Sequence, residues 1–380
     1  MELPIDYETL KVIWWGLVGI LLIGFAVTDG YDLGTATLLP FVAKTDRERR
    51  LVINAIAPTW EGHQVWFITA GGALFAAWPF VYAISFSGFY LAMFVVLAAL
   101  ILRPVGFKYR SKLESPKWRS TWDWALFVGG AVPALIFGVA LGNVLQGVPF
   151  SIDSTLRATY DGGLLGLLNP FALLTGLVSV AMLVMHGAAY LGTKIEHGVV
   201  LDRAVAAGRW AAIALIALYA VAGIWLALGV AGFRIDGVID PGGPANPLRK
   251  EVSVAVGAWM DNYSRYPWMM VAPSLGFAGA ALAWRMLGRK PGLAMLGSGL
   301  SIAGVIGSVG ASMFPFLLPS SKMPAASLTV WDSSSSHLTL FIMLIAVVVF
   351  LPIVLLYTSW VIKVLWGRVT TDEANSPGHY

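Results

Sequence analysis

The sequence predicts an all-α integral membrane protein that crosses the bilayer nine times. Three observations carry that reading. Apolar residues make up 58% of the 380-residue chain and charged ones only 12%, against about 45–50% and 25% in soluble domains; mean hydropathy is +0.75. The apolar residues fall into runs that reach the roughly 20 residues a helix needs to span the hydrocarbon core. Lys and Arg gather in the segments between alternate runs, as they do in membrane proteins. So little charge, with a net of only +4, excludes a soluble enzyme, a nucleic-acid binder and a disordered chain. Cysteine is absent, which excludes disulfides, thiolate metal sites, iron–sulfur clusters and covalent c-type haem. Met1–Leu10 is acidic rather than basic, so no cleavable leader is expected.

In chain order the spans are expected at 12–41, 51–78, 80–102, 122–145, 164–191, 210–230, 267–287, 293–316 and 338–364. The first two exceed a simple crossing, so tilt or a kink is expected, with Pro58 offering one. Trp78-Pro79 makes a tight turn into the third. Segments after the odd-numbered spans (Lys44–Arg50, Arg103–Arg119, Lys194–Arg209, Arg285–Lys290 and Lys363–Arg368) hold eighteen Lys and Arg, against seven on the other side. This places the N-terminus outside and the C-terminus in the cytoplasm. The outer loops 142–163, 231–266 and 315–336 are rich in Gly, Pro, Asn and Ser and read as turns and short ordered caps. The chain reads as a single polytopic membrane domain, 1–380, without room for a soluble one.

An ionisable group inside a span costs about 2.5–3.5 kcal/mol on insertion scales, so each needs a reason. Gly24–Gly34 carries Asp29 and Asp32, and Ala57–Trp66 carries Glu61, His63 and Gln64. Asp32 lies twelve residues from Lys44, roughly 18 Å of helix, and Glu61 eleven from Arg50, roughly 16 Å. Both therefore sit near the middle of a core about 30 Å thick. A helical hairpin is expected to gather Asp29, Asp32, Glu61, His63 and Gln64 into one polar cluster. Buried carboxyls without cations take and release protons near neutral pH, which suits a proton route. The bland alternatives are that Asp29 caps a helix break, Asp32 bonds a neighbouring helix, and His63 and His186 pack by hydrogen bonds rather than ligate haem. The small residues of Thr69–Ala77 read as helix packing.

These stretches resemble subunit II of cytochrome bd quinol oxidase. The resemblance rests on GFAVTDGYDLG (24–34), NAIAPTWEGHQVWFITAGGALFAAWP (54–79), FSGFY (86–90) and RPVGFKYRSK (103–112). It continues in Trp122-Asp123-Trp124, GNVLQGVPF (142–150), Leu168–Phe171, Met313–Phe316, Pro319–Ser321, Ala326–Thr329 and Trp331–Ser335, and Tyr380 resembles the family's last residue. It implies two four-helix bundles plus a peripheral helix, in a bacterial inner membrane. It implies a complex that oxidises quinol and reduces dioxygen to water, electrogenic without pumping. Two haems b and one haem d would sit in a partner subunit I, none in this chain, with a small single-span accessory subunit and a structural quinone as further expectations. Glu61 matches the family's proton-route acid, where relatives carry Asp next to Asn in place of His63; Asp29 and Asp32 match directly. Trp60 and His63 are carried as candidate quinone contacts. Lys108 stands where some relatives have an acid near the route's entrance, and no proton role is carried onto it. Two other readings stand beside this one: a haem-b subunit of another quinone oxidoreductase, and a proton-coupled transporter.

Overall fold

The computed structural model describes residues 3–365 and 367–370; Met1, Glu2 and Tyr380 lie outside them. Helix α1 (Tyr7–Val42) starts where the Asp6 carboxylate accepts from the Thr9 N–H. It is followed by α2 (Asp46–Ile56), which opens on a capping box formed by Thr45 and Glu48. Then come α3 (Trp60–Ala77), α4 (Pro79–Gly88), α5 (Tyr90–Tyr109) and α6 (Pro116–Gln146). The strand pair β1 (Phe150–Ile152) and β2 (Ala158–Tyr160) precedes α7 (Pro170–Lys194) and α8 (Val199–Leu228). The hairpin β3 (Ala231–Asp236) and β4 (Glu251–Val256) leads through the short α9 (Asp261–Arg265) to α10 (Val271–Met286) and α11 (Pro291–Met313). Strands β5 (Phe316–Leu318) and β6 (Leu328–Thr329) close the outer region before α12 (His337–Val364). Four helices begin with Pro at a first-turn position, at Pro79, Pro116, Pro170 and Pro291, where the missing N–H is no loss.

Among the described residues seven helices are long and apolar enough to cross a membrane. The expected span 51–78 is not one of them. It breaks at Ala57–Thr59, so the kink foreseen at Pro58 is a full interruption between α2 and α3. The span at 80–102 breaks at Phe89, and its second half runs on to Tyr109. Residues 164–167 form a short 3₁₀ turn outside α7, and the segment expected at 267–287 yields only the 16-residue α10. Helix α8 begins eleven residues earlier than the expected 210, because its first turns carry charged residues on an exposed face.

Helix α1 is central, packing against α3, α6 and α7. The α1–α7 crossing needs glycine: a Cβ on Gly34 would stand 1.8 Å from the Leu183 carbonyl oxygen. The short strands form a cap tied to α1 by a buried ammonium. Lys11 Nζ donates to the carbonyls of Pro241 (2.8 Å) and Trp331 (2.7 Å). Lys250 pairs with Asp332 at 2.6 Å in the same cap; burial pushes its ammonium below the usual lysine value and Asp332 opposes that shift. Helix α12 touches α1 and α3 near its N-terminal end, where Leu340 is buried; the rest of it is half-buried or exposed.

Candidate functional site

The interior of α1 turns Asp29 and Asp32 inward, one helical turn apart and both fully buried. Helix α5 brings Arg103 to them, also fully buried. Its guanidinium donates to both Asp29 oxygens, Nη2 to Oδ1 at 2.9 Å and Nη1 to Oδ2 at 3.1 Å, a bidentate arrangement that is among the strongest charged contacts. The same Nη2 lies 3.8 Å from Asp32 Oδ2. From α3, Gln64 Nε2 donates to Asp29 Oδ1 at 3.0 Å, and His63 Nδ1 meets Asp32 Oδ2 at 2.6 Å. His63 Nε2 meets the Tyr31 hydroxyl at 3.0 Å. The Tyr31 ring stacks on Tyr190 of α7 at 3.9 Å, and the Tyr190 hydroxyl donates to the Ala55 carbonyl beside the α2–α3 break.

The expected cluster is therefore four-fifths assembled, and around a different partner. Asp29, Asp32, His63 and Gln64 meet. Glu61 does not join them: it is exposed on the opposite side of α3 and has no hydrogen bond or ion pair among the described residues. It heads an exposed stripe with Val65, Ile68, Gly72 and Phe75, and a Cβ on Gly72 would meet nothing within 4 Å. The small residues expected to pack inside the chain thus partly face outward. The sequence reading also missed Arg103. It counted this residue among loop cations and took the acids to lack one; the helix continues past Leu102 and buries Arg103, Gly106 and Arg110 along one face. That spacing of three and then four was the available signal.

A second network lies at the basic end of the bundle. Buried Asp123 accepts from Arg110 Nε and Arg49 Nη1, both at 2.5 Å, and Asp46 bridges Arg110 and Arg119 at 2.8 Å each. It locks the α1–α2 turn to α5 and α6. Glu48, in that turn, is held below the usual carboxylate value: partial burial pushes it up, but the Lys44 and Thr45 N–H groups and Arg203 outweigh that.

The cofactor expectations meet this geometry as follows. Both nitrogens of His63 are engaged by Asp32 and Tyr31. Both nitrogens of His186 are engaged too, Nδ1 by the Ser298 hydroxyl at 2.7 Å and Nε2 by the Val27 carbonyl at 2.8 Å. Each deep histidine thus has both ring nitrogens hydrogen-bonded within the chain. Among the described residues no group of three His, Cys, Asp or Glu could hold a metal ion. The Trp60 ring lies 5.7 Å from the Arg103 guanidinium and packs at a tilt against Phe107, 5.8 Å away. A small apolar cleft between α1, α2, α5 and α6 is lined by Leu39, Val52, Ile56, Phe107 and Leu126. Both ring nitrogens of His63 are already engaged by Asp32 and Tyr31, whereas the Trp60 indole N–H has no hydrogen-bond partner among the described residues.

Comparison with known proteins agrees with the sequence motifs. The chain is 50% identical over 376 residues to the "Probable cytochrome oxidase subunit 2" of Haemophilus influenzae, covering 99% of both. It is 49% identical over 377 residues to the "Cytochrome bd-I ubiquinol oxidase subunit 2" of Escherichia coli, again covering 99% of both. It is 29% identical to the corresponding Bacillus subtilis subunit over 96% of this chain and 98% of that one. In fold it resembles a chain of the bd oxidase structure from Geobacillus thermodenitrificans, with a TM-score of 0.61 at 16% identity, over 94% of this chain and 98% of the other. A family model for cytochrome bd terminal oxidase subunit II matches residues 10–365. With near full-length identity of about half to relatives named for that subunit, the chain belongs to the cytochrome bd terminal oxidase subunit II family.

Proposed function

We propose that this chain is the haem-free subunit of a quinol:oxygen oxidoreductase in a bacterial inner membrane. It stands beside a haem-bearing subunit I and a small single-span accessory subunit. The partner's two haems b and one haem d carry electrons from membrane quinol to dioxygen. This chain crosses nine times, in two four-helix bundles plus a peripheral helix, with α2–α3 and α4–α5 each serving as one interrupted crossing. Its N-terminus is outside and its C-terminus cytoplasmic. It supplies protons from the cytoplasm for water formation through Glu61 and the Asp29–Asp32 cluster. Quinol protons leave on the outer side, so turnover charges the membrane without pumping. The isolated chain is inactive.

One observation supports the proton role above the others. Glu61 is a carboxyl on an exposed, otherwise apolar stripe, with no hydrogen bond or ion pair among the described residues. A charge in lipid without a partner is costly, so subunit I covers this stripe and Glu61 faces it. Replacing Glu61 by Gln in the assembled complex tests the role. Quinol-driven oxygen uptake and charging of liposomes should both fall at least tenfold, the low end of about 10²–10⁴ for losing a proton-transfer group being relaxed by water bypass, with haem content unchanged. Wild-type rates at full haem content overturn it.

A further inference from the structure

The two buried aspartates of α1 lie in unlike surroundings. Every oxygen of Asp29 is satisfied: Oδ1 accepts from Arg103 and Gln64, Oδ2 from Arg103. The bidentate guanidinium contact and the Gln64 amide fix this carboxylate in place. Asp32 is different. Its Oδ2 faces His63 Nδ1 at 2.6 Å, while its Oδ1 is buried with no hydrogen-bond partner among the described residues. Asp32 thus keeps one oxygen without a fixed donor and the other against a titratable ring, an arrangement Asp29 lacks.

Charge counting points the same way. The ionised groups facing one another are Asp29 and Asp32 from α1 and Arg103 from α5, all fully buried. Helix α3 contributes His63 and the neutral Gln64, with Glu61 turned outward. Helix α1 adds Tyr31, and α7 adds Tyr190 and His186, whose rings pack on Tyr31. The Thr59 hydroxyl at the helix break lies beside both phenols. With a neutral imidazole the set carries one uncompensated negative charge, and one added proton makes it neutral. In low-dielectric surroundings the neutral total is favoured.

We propose that, within the proton route assigned above, Asp29 and Arg103 form a fixed ion pair that positions the site, while Asp32 and His63 form the dyad that holds the transferred proton. The inference rests on that route running through this chain. The added proton is shared across the Nδ1–Oδ2 hydrogen bond, as imidazolium facing carboxylate or as imidazole facing carboxylic acid; the two forms contain the same atoms and charge. Its departure restores the carboxylate and the neutral ring. Tyr31 fixes the ring by engaging Nε2, so Nδ1 stays directed at Asp32. Asp29 and Arg103 are positioning residues and do not change protonation during turnover.

The test uses the assembled complex in liposomes, with haem content measured for every variant and oxygen uptake recorded against pH. Asp32→Asn should slow uptake about tenfold. His63→Asn keeps a hydrogen-bonding side chain but not a titrating one; it should displace the pH profile from that of wild type. The neutral pair Asp29→Asn with Arg103→Gln, and separately Arg103→Lys, which keeps the ion pair, should leave the pH profile where wild type has it. The proposal is overturned if Asp32→Asn and His63→Asn behave as wild type, or if both Arg103 variants move the profile as far as His63→Asn. Glu61→Gln separates the two levels. If it too is wild type, the route through this chain fails; if it is slow while the Asp32 and His63 variants are not, only the dyad fails.

Discussion

The core formed by α1, α3 and α5 and the pair formed by α10 and α11 solve the same packing problem with opposite chemistry. Between α10 and α11 the backbones nearly touch. A Cβ on Gly304 would lie 2.2 Å from the Gly276 nitrogen, and one on Gly279 would lie 2.4 Å from the Ser301 nitrogen. The polar groups there are hydroxyls that return to backbone carbonyls or to one another: Ser301 donates to Gly276, and Tyr219 of α8 to Ser308. This is how helices associate in lipid, where apolar surface alone gives no preference for protein over acyl chain. The α1–α3–α5 core instead buries two carboxylates and a guanidinium. Ion pairs of this kind bring little net stability once desolvation is counted. A fold that can close with Gly and Ser in one place does not need charges in the other to stay folded, which is why the charged core reads as functional.

The comparison can be broken most forcefully at Arg103. Arg103→Met should leave two uncompensated carboxylates and destabilise the core by about 3–5 kcal/mol; loss of haem-loaded complex on extraction is the measurement, and normal recovery would show the ion pair to be dispensable. Next in size, Gly304→Leu forces side-chain atoms into the α10 backbone. It should cost about 3 kcal/mol, at the upper end for overpacking, read as a lower unfolding temperature with an unchanged pH profile. Ser301→Ala removes only one interhelical hydrogen bond, worth about 0.6 kcal/mol in membranes; stability and activity should stay near wild type. The smallest effect lies at the α1–α2 turn. Because Glu48 titrates below its unfolded value, the support it gives is complete above about pH 4.5, the ordinary glutamate range, and is lost as pH falls through the lower folded value. Hydrogen exchange across 44–50, corrected for its intrinsic pH dependence, should rise on acidification in wild type and be insensitive to pH in Glu48→Gln.

Much of this was legible in the sequence, because apolar run length and Lys and Arg placement are strong signals that depend little on tertiary detail. Asp29 and Asp32 on one face of α1, and Gln64 and His63 opposite them, followed from spacing alone. Glu61 did not: three residues before Gln64, it was expected on the same face, but Gln64 sits at the edge of the buried face and reaches Asp29 while Glu61 lies on the exposed side of α3. Arg103 was hidden for a different reason: the apolar run stops at Leu102 because a buried ion pair follows, while the helix goes on. The Lys11 anchor depends on contacts between residues hundreds of positions apart, which no local pattern encodes.

The charged core and the glycine-packed pair can be set against each other in a single experiment. Assembled complex in liposomes carrying a trapped pH-sensitive dye is mixed with oxygen, and proton uptake from the compartment facing the Lys- and Arg-rich loops is followed through one turnover. The account predicts uptake about tenfold slower in Asp32→Asn and unchanged in Ser301→Ala, both with full haem content. Equal uptake in the two variants at the wild-type rate would contradict it.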